Sequence, residues 1–384
     1  MGIVMEELFD IIVVGGGIAG CGIAAFLAER ARVLVLEKEA HPGTHATGRS
    51  AALFSETYGA DPIRALSRAS NAFLTNPPEA FNIASPLLPR GCLYVASAAQ
   101  EEKLLAAARN PLMRSAATLL SRDEALSRCP ILKPDHVTAA LWEPGAQDLE
   151  VNALLQAFIR RCRALGGVVR TDSAVVRFDR RDGLWRVATE QGRYQAPVVV
   201  NAAGAWADSL AAQAGLAPLG IQPLQRTALL VPSPDGVNVA PWPCVIDIDE
   251  AFYFKPDGGH LLLSPADEHP VEPYDAQPDE MDVAIAVDRV EQATSLRVRR
   301  VLHKWAGLRS FAPDRVPVVG FDPRSVGFFW LAGQGGYGIQ TAPALSQAAA
   351  ALLLDGAIPG QIADHGVDMA VLRPDRLIPA AVPH

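Results

Sequence analysis

The sequence predicts an α/β protein: a doubly wound, Rossmann-like nucleotide-binding domain built from separated segments, with an inserted strand-rich α+β domain. Three observations predict it. Residues 10–37 read strand, glycine turn, helix, strand. A second strand-to-helix passage through a glycine-rich turn lies near the other end, at 328–354. Between them the pattern shifts to short strands and turns, the mark of an insertion.

The first unit opens with the apolar run Asp10–Val14, which meets Gly15-x-Gly17-x-x-Gly20. Gly15 permits the tight turn, Gly17 lets backbone approach a pyrophosphate, and Gly20 lets helix and strand pack closely. The helix N-terminus offers N–H groups and a positive dipole end to phosphates. Val33–Leu36 is the second strand, and Glu37 at its end can accept ribose hydroxyls. A plain structural turn is the alternative, since Gly-rich turns are common. His41–Ser50 reads as a loop, and 62–74 as a helix stopped by Asn76-Pro77-Pro78. Strands are expected at 91–95 and 139–143, and helices at 101–109, 121–128 (Ser121 cap, Glu124 placed for a capping box) and 151–165. A three-strand meander follows at 174–179, 184–189 and 193–196, then the apolar strand 198–201 running into Ala202-Ala203-Gly204-Ala205-Trp206. Residues 219–304 hold strand candidates at 227–231, 252–255 and 261–264, with a Pro/Asp-rich loop at 265–280. A late strand, 328–332, passes through Gly333-Gln334-Gly335-Gly336-Tyr337-Gly338 into a helix near 341–354. The alternation assigns 1–85, 145–218 and 305–384 to the nucleotide-binding domain, and 86–144 and 219–304 to the second, substrate-binding domain.

Composition narrows the function. The 384 residues carry a net charge of -8, which argues against a nucleic-acid partner; the densest basic run, 297–300, reads as a solvated face. Hydrophobic residues make up 49%, enough for a large core. The five cysteines show no CxxC spacing and an odd total, which fits free thiols in a reducing compartment. The start lacks a charged leader and cleavage signal, and no apolar run is long enough to span a bilayer. A cytoplasmic protein is expected, with no compact His/Cys/carboxylate cluster for a metal.

Five segments, VVGGGIAG, HATGRSAA, VVNAAGAW, WAGLRSF and GQGGYGIQT, resemble the FAD-dependent D-amino acid oxidase family. They run from residue 13 to 341, nearly the whole chain. NPP at 76–78, FYFKPDGGHLLLSPA at 252–266 and LRSF at 308–311 are most similar to the bacterial D-arginine dehydrogenase branch. The resemblance implies FAD, held noncovalently. Gly15, Gly17, Ile18, Ala19 and Gly20 would hold the pyrophosphate, Glu37 and Lys38 the adenosine end, and Val175 the adenine. His45, Ala46, Thr47, Gly48, Arg49, Ser50, Ala51, Ala52 and Leu53 would line the flavin, with Ala203 and Gly204. Gly335, Gly336, Tyr337, Gly338, Ile339 and Gln340 would wrap its pyrimidine edge. Arg309 and Tyr253 would bind a substrate carboxylate; Arg226, Tyr58, Gly336 and Gln340 would complete the pocket, with Tyr58, Tyr253, Arg309 and Gln340 nearest the chemistry.

Physical chemistry agrees with these roles. A carboxylate is held best by a planar, permanently charged arginine. Arg309 follows the apolar stretch 305–308, and a buried arginine needs an anion. A structural salt bridge is its alternative; for Arg226 it is a surface pair, for Tyr253 a core aromatic, for Tyr58 a turn packer. The late glycine turn can stabilise negative charge on a reduced flavin, or be an ordinary strand–helix turn. His45 is a flavin-lining loop residue, with covalent flavin attachment left open. Two positions depart from the arginine-specific pattern: Cys92 stands where that branch has a glutamate, and Leu53 where it has a histidine. Without a carboxylate the pocket loses its reason to prefer a cationic side chain. The expected activity is oxidative deamination of D-amino acids, neutral or hydrophobic preferred over D-arginine. Hydride would pass from Cα to flavin N5, giving a 2-oxo acid and ammonia, with a quinone, dye-like carrier or O2 as electron acceptor. An O2-using or sarcosine-type amine oxidase, a 2-hydroxy acid dehydrogenase and a flavin-binding accessory subunit are the alternatives.

Overall fold

The computed structural model describes residues 6–379; the expected domain limits at 1 and 384 lie outside them. Its organising element is a six-stranded sheet in the order Val168–Arg170, Val33–Leu36, Ile11–Val14, Val198–Asn201, Phe328–Ala332 and Val318–Phe321. All neighbours are parallel except the last pair. A sheet buried on both faces needs apolar residues at every position, which is why these strands read as unbroken Val/Ile/Leu/Phe runs. Ile11, Val13, Val33, Val35, Phe329 and Leu331 face a helical layer. That layer includes the helices Ile18–Leu27 and Gly338–Asp355. Ile12, Val14, Leu34, Leu36, Phe328 and Trp330 pack with Trp185, Val187 and Tyr194 of the meander. The meander (Val175–Arg181, Leu184–Thr189, Arg193–Ala196) is a four-stranded sheet, because Glu7–Leu8 adds a parallel strand to it.

The second large element is a nine-stranded sheet. Its central strands run Gln222–Val231, His260–Ser264, Tyr253–Asp257, Cys244–Asp247, Cys92–Ala96 and Ala139–Glu143. One face, with Leu93, Val95, Leu229, Val245, Phe254 and Leu263, packs on the helix Glu280–Ala293 through Val283, Ala286 and Val290. By strand alternation the other face carries Cys92, Tyr94, Cys244, Ile246, Tyr253 and Lys255.

Three features differ from the sequence reading. Helix Glu280–Ala293 lies where only strands and a loop are expected; its signal was the Asp279 cap, which accepts from the N–H of Met281 at 2.7 Å, followed by apolar residues at 283, 286 and 290. The strand His303–Phe311 pairs antiparallel with Gln222–Val231 along nearly its whole length, so residue 305, an expected domain limit, falls inside a strand of the large sheet. The late helix begins at Gly338, not near 341, and tolerates Pro343 inside it. No helix among the described residues is long and apolar enough to cross a membrane.

Candidate functional site

A cleft of about 310 Å³ runs from Gly15, Gly17 and Val175 at one end to Arg309, Gly336 and Gly338 at the other. It follows the ends of the parallel strands Ile11–Val14 and Val198–Asn201, the position where open α/β sheets bind ligands. Backbone shape fixes its first end. Gly15 has φ +110°, and a Cβ there would come 2.3 Å from the Ala202 carbonyl oxygen; a Cβ on Gly20 would meet the Gly15 oxygen at 1.9 Å. Gly20 therefore serves packing and does not reach the cleft. Gly17, Ile18 and Ala19 line it, and the Ile18 N–H donates to Thr47 Oγ1 at 3.0 Å. Glu37, 7% exposed, accepts from the N–H of Gly16 (Oε2, 2.7 Å) and of Glu39 (Oε1, 2.9 Å). A Cβ on Gly16 would strike that carboxylate at 2.8 Å. Gly16, an unspecified position of the fingerprint, is thus required to be glycine, which sequence reasoning missed.

The loop residues divide. His45, Ala46, Thr47, Arg49, Ser50 and Ala51 line the cleft, as do Ala203 and Gly204. Gly48 instead turns the loop, its N–H donating to the Gly43 oxygen at 2.7 Å. Arg49 is tied to the carbonyls of Ala276 and Ala306 and to Asp275, so it joins the loop to the second sheet. Trp206, quoted within a motif but given no role, is a shared platform: Lys38 Nζ lies 3.3 Å from its ring centre and the His45 ring 4.7 Å. His45 Nε2 is also 2.7 Å from Glu39 Oε1.

A smaller cavity of about 90 Å³ adjoins the cleft. The two share the walls Ser50, Ala51, Arg226, Tyr253, Arg309, Gly336 and Ile339. Arg309 projects from His303–Phe311 and stands diagonal to Arg226 across the strand pair, because Leu224 opposes Arg309 and Arg226 opposes Gly307. Arg226, 8% exposed, donates to the Asp267 carbonyl (2.7 Å) and to Glu268 (3.2 Å). Burial, then the like charge of Arg309, pushes its pKa down. Arg309 is half-buried and makes no hydrogen bond or ion pair among the described residues. Its guanidinium lies on the Cα of Gly336, where a Cβ would come 3.1 Å from Cζ. Gly335, at φ +57°, lies closer still to Phe311, where a Cβ would come 2.1 Å from the ring, and its N–H donates to the Ser310 oxygen at 2.9 Å. The late glycine turn is therefore stitched to the strand that carries Arg309.

Tyr58, Ala52, Leu53 and Gln340 line the smaller cavity. Burial pushes the Tyr58 hydroxyl up to about 12, so it stays protonated at neutral pH. Tyr337 reaches neither cavity and packs on Tyr58, ring centres 5.1 Å apart. The Gln340 amide is already engaged: Oε1 accepts from the Ser55 N–H (3.2 Å) and Nε2 donates to Ser67 Oγ (2.8 Å). Cys92 needs correction. It is fully buried behind the wall, paired across strands with Cys244, and it is Cys244 that faces the cavity. The pocket is also less apolar than expected. Tyr94 and Lys255 share its wall, and Glu143, directly opposite Cys92 in the strand register, lies behind it. Glu143 accepts from Ser55 Oγ (2.8 Å) and the Tyr94 hydroxyl (3.3 Å), and burial raises its carboxyl above the usual range. No sequence signal joined residues 55, 94, 143 and 255: sheet register brings 94, 143 and 255 together, and Ser55 reaches them from the turn after Leu53–Phe54. Apart from both cavities, ligand atoms of Asp267, His269 and Asp282 lie within 4.8 Å of one another, with His269 Nε2 3.0 Å from Asp282 Oδ1, a grouping that the sequence spacing did not show.

The cleft fits FAD. Its glycines leave backbone bare enough for a pyrophosphate to approach, the Glu37 carboxylate lines the same end, and an arginine without a protein partner among the described residues marks the far end. Comparison with known proteins agrees. Glycine oxidase of Geobacillus kaustophilus is 26% identical over 360 residues, covering 88% of this chain and 91% of its own. Mouse FAD-dependent oxidoreductase domain-containing protein 1 is 25% identical, covering 91% and 82%. The crystal structure of L-proline dehydrogenase from P. horikoshii shares the fold, with a TM-score of 0.80 at 23% identity over 97% of this chain and 98% of that one. None of these is named for D-arginine, so the finer likeness to that branch is not upheld. A family model described as FAD dependent oxidoreductase (DAO) matches residues 10–352, and the chain belongs to that family of FAD-dependent oxidoreductases.

Proposed function

We propose that the protein oxidises the Cα–N bond of a small α-amino acid, with Arg309 receiving the substrate carboxylate. The carrying observation is Arg309 itself: a half-buried guanidinium with no protein partner among the described residues, at the junction of the two cavities. An ionised group so placed is costly without a counter-charge, and a carboxylate matches its fork geometry. When bound, FAD supplies the two-electron acceptor for a hydride. The protein's part is placement. Arg309 and Tyr253 hold the carboxylate, which brings Cα to the shared wall between cleft and pocket. Protonated Tyr58 offers a hydroxyl beside them and takes no proton at neutral pH. The glycine turn and the start of helix Gly338–Asp355 present a positive dipole end to the cleft, which would favour negative charge on a reduced cofactor held there. The engagement of His45 with Glu39 and Trp206 supports a noncovalent cofactor.

D-amino acids are the preferred substrates in this reading, on the resemblance of the five motifs, and neutral side chains are preferred over a guanidinium. Lys255 and the diagonal Arg226 support the second point, since both repel a cation. Anaerobic mixing of the yellow protein with paired D- and L-amino acids, glycine, sarcosine and 2-hydroxy acids tests it. Bleaching of the flavin by neutral D-amino acids, faster than by D-arginine, is the expected result. Bleaching by hydroxy acids alone would refute the reading. Recovery on admitting air distinguishes an O2-using enzyme from one that needs another acceptor.

A further inference from the structure

The sheet face that presents Tyr253 presents a second cation. Lys255 lies two residues further along the strand Tyr253–Asp257, so it leaves on the same side, about 7 Å away. Both residues line the smaller cavity. Lys255 is only 6% exposed, and a buried ammonium needs pairing. Its Nζ donates to Asp148 Oδ1 at 2.7 Å. Oδ2 of the same carboxylate takes Nε and Nη2 of Arg90, both at 2.7 Å. One carboxylate therefore serves two cations, leaving an excess of one positive charge. An ammonium has three donors, and Asp148 is the only acceptor Lys255 meets among the described residues. The remaining charged groups at this end do not cancel the excess. Glu143 lies behind Tyr94 and Ser55, which occupy its oxygens, and burial favours its neutral form. Glu250 is exposed at the rim, where solvent screens it, and Arg226 is already paired with Glu268.

We propose that Lys255 forms a subsite for a second anionic group, so that the best substrates are amino acids with a terminal side-chain carboxylate, about four to five carbons long to match the Tyr253–Lys255 spacing. The proposal rests on the reading that Arg309 takes the α-carboxylate, and it extends that reading from the reacting end to the side chain. The order of preference becomes acidic, then neutral, then cationic.

Binding and turnover separate this proposal from its parent. In titrations followed by the flavin absorbance, succinate and glutarate are expected to bind at least ten-fold more tightly than propionate and butyrate. Lys255→Met should remove that difference, and Lys255→Arg should keep most of it. Equal affinity in the wild type, or a difference that survives Lys255→Met, overturns the subsite. The wild-type comparison decides the matter even where the Met variant fails to hold flavin. In turnover, D-glutamate should reduce the flavin at least ten-fold more efficiently than D-norvaline, and equal efficiency counts against the subsite. A dicarboxylate preference without reduction by any amino acid supports the subsite and overturns the amine reading.

Discussion

The wall at the glycine-rich end of the cleft is made of backbone, whereas the wall of the adjoining cavity, the substrate end in our proposal, is made of side chains. At the first, Gly15, Gly16 and Gly20 each exclude a Cβ by close approach to another part of the chain. At the second, Arg309, Arg226, Tyr253, Tyr94 and Lys255 come from four strands of one sheet and project onto one face. A backbone wall tolerates almost no substitution and recognises what all dinucleotides share. A side-chain wall can change its residues without changing the sheet, so substrate choice can vary while the cofactor stays fixed.

That contrast can be broken from either side. Gly15→Ala is expected to have the largest effect, because the added carbon meets a carbonyl oxygen at 2.3 Å and the backbone holds φ +110°. The purified variant should be nearly colourless, checked by the ratio of flavin to protein absorbance. Gly336→Ala tests the point where the walls meet. Its Cβ would press on the Arg309 guanidinium at 3.1 Å, a contact that a small side-chain shift relieves. Flavin content should hold, while KM rises on the order of ten-fold, the loss of about 1.4 kcal/mol. A colourless Gly336→Ala would place that glycine in the backbone wall instead.

Glu143→Gln sharpens the contrast through pH. Burial raises the Glu143 pKa in the folded state above its unfolded value. A carboxyl so shifted contributes its stability below the unfolded pKa, near 4.5, and loses it as pH rises through the folded pKa. The melting temperature of the wild type relative to Glu143→Gln should therefore fall on going from pH 4 towards neutrality, by on the order of 1–2 °C. A difference that is flat in pH would contradict the raised pKa. Cys92→Ala should do least to specificity. Cys92 is fully buried and forms no part of the cavity wall, so the ratio of efficiencies between side chains should change less than about two-fold.

The same contrast explains what could be read from the sequence. A backbone wall leaves glycines at fixed offsets beside apolar runs, so the first fingerprint, Glu37 and the late glycine turn were legible without coordinates. The strands of the six-stranded sheet were legible too, because burial on both faces leaves continuous apolar segments. The helix Glu280–Ala293 was overlooked, since it follows directly on the Pro/Asp-rich loop and its Val/Ile/Ala run reads as strand as readily as helix. The substrate wall was legible only where a motif carried it, as with Arg309 and Tyr253. Lys255, Tyr94 and Glu143 are joined by strand register across more than a hundred residues, and register leaves no local pattern. Cys92 was misplaced for a related reason: it lies beside Cys244 on the same sheet face, packed with Ala146, and only Cys244 reaches the cavity, which strand pairing decides and local sequence does not.

Arg309→Met, compared with wild type in anaerobic flavin reduction across amino acid concentrations, tests the central claim most directly. The account predicts unchanged flavin content and an apparent substrate affinity weakened on the order of 100-fold, the loss of about 2.7 kcal/mol from a paired charge. Full retention of affinity with the flavin in place would show that the carboxylate binds elsewhere, and the reading of this site would fall.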